Sequence, residues 1–234
     1  EQMTATDKEQ DWAQVNGVRI RHWAAPLRLV PATGPNGEET VAGVVFARTM
    51  LDAMGWLVLT DDRFVLQADM VQKQSSLMAF DRKTGKMAWE VKRPNVGFAH
   101  STPTIVKVGE RPLMLVAASD ALQGVDPGTG ELRWWCKAKG DTVSPVFADR
   151  IAYVDSGRGG PGFAVGVASD LAGDVTKSAL KWSIRQIPEG FGSPVIVEGM
   201  LYRLQSPGIL KCYRMADGSE IYSQRLEGVT VPAS

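Results

Sequence analysis

An eleven-residue pattern occurs twice in this chain, as AFDRKTGKMAW at 79–89 and as GVDPGTGELRW at 124–134. Each copy has an Asp, a Thr three residues on, a Gly, and a Trp four residues later: Asp81, Thr84, Gly85, Trp89 and Asp126, Thr129, Gly130, Trp134. The chemistry is that of a hairpin turn. An Asp side chain takes up backbone amides two residues ahead, and Gly supplies the positive φ that closes the turn. The flanks LMAF and MAWEV are strand-type sequence. Two weaker copies follow. AGDVTKSALKW keeps Ala172, Asp174 and Trp182 at the same offsets but lacks the Thr-Gly, and CYRMADGSEIY keeps Gly218 and ends on Tyr222. A second marker keeps step with the first: Thr102-Pro103, Ser144-Pro145 and Ser193-Pro194 each introduce an apolar run, a short polar turn and another apolar run. A further step of the same size reaches Ser234, so the sequence reads as stopping where a next unit begins.

Each unit is therefore a Ser/Thr-Pro strand, a turn, a second strand, a loop, a third strand, the Asp-x-x-Thr-Gly turn and a fourth strand ending in an aromatic. Four antiparallel strands in roughly 40 to 50 residues is the form of a propeller blade. The terminal aromatic fills the wedge between one blade and its neighbour, since neither can bury its faces alone. A sandwich would not keep two markers in register, and a helical solenoid would need a 3.6-residue period that these units lack.

The motif resembles the tryptophan-docking motif of quinoprotein-type (PQQ-like) β-propellers, Ala-x-Asp-x-x-Thr-Gly-x-x-x-Trp. Ala79, Asp81, Thr84, Gly85 and Trp89 match at every position. In the second copy Gly124 stands for the Ala, and Cys212 does so in the fourth. The resemblance extends over about residues 62–234. LMAFDRKTGKMAWEVKRP, LRWWCKAKGDTVSPVFADRIAYV and GRGGPGFAV make the chain similar to PQQ-like repeat proteins of planctomycete-type bacteria. The resemblance implies an all-β fold of about four four-stranded blades, a partial or split ring, since such propellers usually have seven or eight. It also implies a periplasmic or cell-envelope location. One branch of the family oxidises alcohols or sugars with pyrroloquinoline quinone and calcium. The other keeps the blades without the cofactor and includes a scaffold lipoprotein of outer-membrane assembly.

Two segments are expected along the chain. Residues 61–234 carry the blades. Residues 1–60 carry no docking motif: RLVPATGPNGEE (28–39) reads as a loop by its breakers, and Ala47, Met50, Leu51, Met54, Leu57 and Val58 follow helical spacing. A short helix, a divergent blade and a decayed segment are the readings for this part.

Composition bounds the function classes. Lys plus Arg and Asp plus Glu both total 26 in 234 residues. A chain of zero formal charge has no broad basic surface for nucleic acid and no polybasic membrane patch. No apolar run reaches the roughly 20 residues a membrane-spanning helix needs, and no signal peptide is evident in the sequence as given. Cys136 and Cys212 read as small buried residues, with a disulfide arithmetically open.

Candidates for chemistry are few. There is no Cys-Cys pair of the kind that lies over a bound quinone in the dehydrogenases, and no cluster of oxygen ligands stands out for calcium. Trp134-Trp135 could floor a quinone, but Trp134 is assigned to docking. The Gly-rich SGRGGPGF (156–163) lacks the helix and Lys-Ser/Thr of a phosphate loop and reads as a wide blade turn with Arg158 at its tip. His100 stands just before an innermost strand, near the mouth of the axial channel, and reads as a structural histidine. Asp81, Asp126 and Asp174 read as turn caps on different blades. No catalytic or metal-binding residue is assigned, and His100 and Arg158 are the candidate ligand-facing residues. The expectation is a non-catalytic binding or scaffolding module with a protein partner and no cofactor, with a PQQ- and calcium-dependent oxidoreductase as the alternative. Unpaired blade faces at the ends of a half-ring should drive association, so the isolated chain is expected to be a homodimer or poorly soluble.

Overall fold

The computed structural model describes residues 24–33, 39–48, 56–60, 62–69, 74–94 and 96–228. The chain divides into two compact units, residues 1–54 and 55–234. The first contains an antiparallel hairpin of β1 (Ala24–Thr33) and β2 (Glu39–Arg48), with register shifts between Pro26 and Arg28 and between Val30 and Pro31. The expected loop over 28–39 is thus corrected over Arg28–Thr33. A proline is tolerated in a strand where the ladder is interrupted, and the shifts fall beside both prolines. The short helix, one of three readings open for this segment, is corrected at both of its described ends, because Ala47 lies in β2, and Leu57 and Val58 lie in β3 (Trp56–Leu59). Short apolar runs carry no reliable period, and here the pairing of β3 with its neighbour decides. Met50, Leu51 and Met54 lie outside the described residues.

The second unit is four sheets in sequence order. The first blade is β3, β4 (Arg63–Ala68), β5 (Gln74–Asp81) and β6 (Met87–Pro94), so it begins at Trp56, ahead of position 61. The second is β7 (Thr104–Val108), β8 (Arg111–Ala117), β9 (Leu122–Val125) and β10 (Leu132–Cys136). The third is β11 (Val146–Ala148), β12 (Ile151–Asp155), β13 (Gly160–Gly166) and β15 (Leu180–Ile187). The fourth is β16 (Val195–Val197), β17 (Met200–Gln205), β18 (Ile209–Arg214) and β19 (Glu220–Arg225). Within each blade the four strands are antiparallel neighbours.

Alternation along the strands sends side chains to both faces, and each inner face packs on the next blade. On β8, Met114 and Val116 join Val65, Leu77 and Ala79 of the first blade. Leu113, Leu115 and Ala117 join Ala152, Val154 and Val165 of the third. Tyr153, Ile187 and Trp182 of the third blade pack with Leu201, Tyr213 and Met215 of the fourth. The Ser/Thr-Pro markers link the innermost strands directly. The Thr102 amide donates to Ser144 Oγ at 3.0 Å, and the Ser144 amide to Ser193 Oγ at 3.1 Å, each hydroxyl accepting from the preceding blade.

The third blade departs from the repeat. Between β13 and β15 the expected turn is replaced by an excursion. A two-residue strand, β14 (Gly173–Asp174), pairs parallel with β10 of the second blade, Trp134 opposite Gly173 and Trp135 opposite Asp174. One turn of helix follows, α1 (Thr176–Ala179). Asp174 accepts from the Thr176 amide at 2.9 Å and so opens this helical turn, where the sequence suggested a hairpin cap. Without Thr-Gly there is no residue at that offset suited to positive φ, and the chain takes a longer route.

Candidate functional site

The Asp turns are built alike. Asp81 Oδ1 accepts from the amides of Lys83 and Thr84 and from the Thr84 hydroxyl, at 2.7 to 3.0 Å, and Gly85 follows at φ +70. These bonds, the Thr84 amide first, hold the Asp81 carboxyl below its ordinary value. Burial works to raise Asp126, but its bond from Arg133 and the amides of Gly128 and Thr129 outweigh it, and its carboxyl also sits low. Thr129 Oγ1 in turn accepts from the Glu131 amide. In the fourth turn the carboxylate has moved along the chain: Asp217 accepts from the Ser219 hydroxyl and amide, next to Gly218 at φ +74.

The four aromatics occupy one register position, opposite Ala79, Gly124, Ala164 and Cys212 in turn. Their surroundings differ. A Cβ on Gly130 would stand 2.7 Å from the ring of Trp89, and one on Gly218 would stand 2.7 Å from the ring of Trp182, so each indole lies against the glycine of the following blade's turn. Trp182 Nε1 also donates to the Met215 carbonyl at 2.8 Å. The indole of Trp134 lies across Gly124 of its own blade, with Val175 and Ala179 of the excursion in the same cluster. Tyr222 is 42% exposed.

Two buried ionic clusters escaped the sequence reading. In the fourth blade Arg203 is fully buried and forks onto Asp155 of the third, Nε to Oδ2 at 2.9 Å and Nη2 to Oδ1 at 3.1 Å. Its remaining donors reach the carbonyls of Gly190, Gly192 and Leu204. Tyr153 donates to Asp155 Oδ2 at 3.0 Å, and burial, with that carboxylate beside it, pushes the phenol well above its ordinary value. Arg93 of the first blade pairs with Asp69 at 2.5 Å and donates to Gln123 of the second at 2.8 Å. Burial lowers the Arg93 guanidinium against the pull of Asp69. The available signal was a charge in the core phase of an alternating strand: Leu201, Arg203 and Gln205 share one face of β17, and all are buried.

The antiparallel order puts the Asp turns at one end of every blade. The blade-to-blade links and the turns at 118–121, 156–159 and 206–208 lie at the other. At this second end the two candidate ligand-facing residues meet the same link. The His100 amide donates to the Asp141 carbonyl at 2.5 Å, and Arg158 Nε to Thr142 Oγ1 at 3.2 Å. The Arg158 guanidinium lies 5.9 Å from the Phe191 ring centroid. His100 is exposed, with its ring edge-on to Phe98. Asp141 is buried and its Oδ1 accepts no hydrogen bond. The nearby hydroxyls are engaged in holding the fold: Ser101 Oγ is 3.4 Å from the Ala117 carbonyl, and Ser144 and Ser193 accept amides. The cluster thus presents a cation over an aromatic ring and an exposed imidazole, a set suited to recognition.

Among the described residues no three His, Cys, Asp or Glu side chains converge, and Asp69 and Asp155 are each paired with an arginine. Trp135 lines a shallow groove of about 290 Å³ with Asp120, Gln123, Leu132 and Lys137. Cys136 and Cys212 are buried free thiols, and burial pushes Cys136 up to about 11. No helix among the described residues is long and apolar enough to cross a membrane.

A family model described as the outer membrane protein assembly factor BamB matches residues 38–224. Among solved structures, BamB from Moraxella catarrhalis is 13% identical, with a TM-score of 0.48 over 88% of this chain and 76% of that one. Sqt1 from Saccharomyces cerevisiae is 8% identical, with a TM-score of 0.58 over 84% and 55%. The quinohemoprotein alcohol dehydrogenase from Comamonas testosteroni is 11% identical, with a TM-score of 0.50 over 73% and 40%. This chain therefore spans about half of Sqt1 and less of the dehydrogenase. No curated protein matches it in sequence.

Proposed function

The chain belongs to the PQQ-like β-propeller family of the outer membrane protein assembly factor BamB, and from that membership we propose that it is a non-catalytic binding module of the bacterial envelope that engages a protein partner. The observation that carries the reading is the pair that meets the link at residues 141–142: an exposed His100 and an Arg158 held over Phe191. A peptide brings carboxylates or carbonyls for Arg158 and acceptors or donors for the imidazole. The carboxylates of the opposite end are taken up within their own turns, which supports the link end as the recognising face.

The test has two arms on the same folded sample. Photo-cross-linkers in place of His100 and of Lys139 report on envelope extracts. A defined cross-linked protein that disappears with Arg158→Ala supports the reading. Titration with pyrroloquinoline quinone and calcium is read by quenching of the seven tryptophans. Saturable, calcium-dependent quenching overturns the non-catalytic reading in favour of an oxidoreductase.

A further inference from the structure

The buried Arg203–Asp155 pair reaches two surface loops as well as two blades. All five N–H groups of the Arg203 guanidinium are engaged. Two fork onto Asp155, and the others reach the carbonyls of Gly190, Gly192 and Leu204. Gly190 and Gly192 are the residues on either side of Phe191. Asp155 is filled in the same way. Beyond the fork it accepts from the Tyr153 phenol and, at Oδ1, from the amide of Gly157 at 2.7 Å, immediately before Arg158. The two loops are tied to each other, the Gly190 amide donating to the Gly157 carbonyl at 2.8 Å. Each is set further by bonds of its own: Ser156 Oγ donates to the Gly159 carbonyl at 2.7 Å, and the Ser206 amide to the Glu189 carbonyl at 2.6 Å. A Cβ on Gly190 would stand 2.4 Å from the Leu204 carbonyl oxygen and 2.8 Å from Arg203 Nη1, so the link carrying Phe191 lies directly on β17. One buried guanidinium and its carboxylate thus hold both halves of the surface pair, the ring at Phe191 and the cation at Arg158, with the guanidinium 5.9 Å from the ring centroid.

We propose that Arg203 and Asp155 are positioning residues for the recognition site: the buried pair fixes where Phe191 and Arg158 stand, so the site is assembled from the core of the junction between the third and fourth blades. The inference rests on the reading of the link end as the recognising face, and it adds which buried residues that face depends on. Neutralising Asp155 requires only a cation beside it. Reaching the carbonyls on both sides of Phe191 at the same time requires a planar fork with five donors, which arginine has and lysine, a point charge with three, does not. Side chains and loops ordered in advance lose less freedom when a ligand binds, which is what a pair held from below gives to a site made of two loops.

Fluorine NMR of the full chain, with 4-fluorophenylalanine in place of Phe191, tests it, because the resonance reports charge and packing at that ring and needs no partner. Arg158→Gln sets the position of the resonance without the cation. Arg203→Lys keeps the charge beside Asp155 but not the fork, and should move the resonance toward that position with unchanged circular dichroism. Arg203→Met combined with Asp155→Leu removes both buried charges together, so neither is left unpaired, and should move it as well. In either background a further Arg158→Gln should add little, as coupled residues do. Trp89→Ala, which opens a cavity at the junction of the first two blades, should leave the resonance in place. In the unaltered chain the Gly157 and Gly190 amides should exchange at least about a hundred-fold slower than unstructured amides. A resonance unmoved by Arg203→Lys and by the paired replacement, one moved as far by Trp89→Ala, full additivity with Arg158→Gln, or fast exchange of the two glycine amides would each overturn the positioning role. An unmoved resonance beside a partner captured from position 100 overturns the positioning role and upholds recognition. A moved resonance with no partner captured upholds the positioning role and removes the recognition reading.

Discussion

The junction between the second and third blades and that between the third and fourth fill the same wedge differently. The former is apolar at its centre, with no buried ion pair among the described residues: Trp134 is 1% exposed and lies among Val154, Val165, Val175 and Ala179, roofed by β14 and α1. The latter is part apolar and part ionic. Trp182 is less deeply covered and anchored by its N–H to Met215, and Arg203 and Asp155 form a fully buried pair below 3.2 Å. The apolar junction draws its stability from transfer and packing. The ionic one balances a large desolvation cost against a bidentate pair whose every donor finds an acceptor. It therefore tolerates removal of one partner poorly and specifies the relative placement of the blades closely.

The largest effect should come from unbalancing the ionic junction. Arg203→Met leaves Asp155 buried without its fork and should cost about 3–5 kcal/mol, read as a fall in urea midpoint. The double replacement of Arg203 by Met and Asp155 by Leu should recover much of that loss. If it is as unstable as the single variant, the pair is not what makes this junction fragile. Trp134→Ala should cost about 3–5 kcal/mol by opening a cavity, and more than Trp182→Ala, whose ring is nearer solvent. Equal losses would break the distinction between the two junctions.

Smaller is the effect of the saddles. Gly130→Ala should cost about 1–3 kcal/mol from positive φ alone, and further by displacing Trp89. Gly173→Ala, also at positive φ but with open space around it, should show only the first part, as judged by thermal midpoints. The smallest effect is titration. Asp81, Asp126, Asp174 and Asp217 are all held below the ordinary carboxylate value. Such groups bind fewer protons in the fold than unfolded. Their stabilisation is therefore present above about pH 4 and is lost as pH falls through the lowered values. Stability should decline on acidification in that window, and Asp126→Asn should flatten the decline. At the alkaline end, Cys136, neutral in the fold up to about 11, should resist alkylation at pH 8 until the chain unfolds.

Much of this architecture was legible because blades are local. Each hairpin joins residues close in sequence, so Asp81, Gly85 and Trp89 announce a turn and a strand wherever they occur. The Ser/Thr-Pro markers showed the repeat length, and their hydroxyls prove to bond successive blades at that spacing. The N-terminal hairpin was not legible, since Pro31 and the helical spacing near Ala47 point away from strands that pairing alone creates. At the link end of the blades, His100 and Arg158 stood out as residues, but nothing in their sequence separation indicated that both would reach the link at Asp141 and Thr142.

By itself the sequence determined the unit: four strands, the turn that closes them, and the aromatic that must find a neighbour, all consequences of backbone conformation and alternation within a short segment. Only the tertiary structure decided what each blade does with its neighbour. Trp89 meets a glycine of the next blade, Trp134 lies over the neighbouring strand of its own blade, and Arg203 is made tolerable by an aspartate 48 positions away. Those outcomes depend on the desolvation of groups brought together from different repeats, and desolvation has no local signature in the chain.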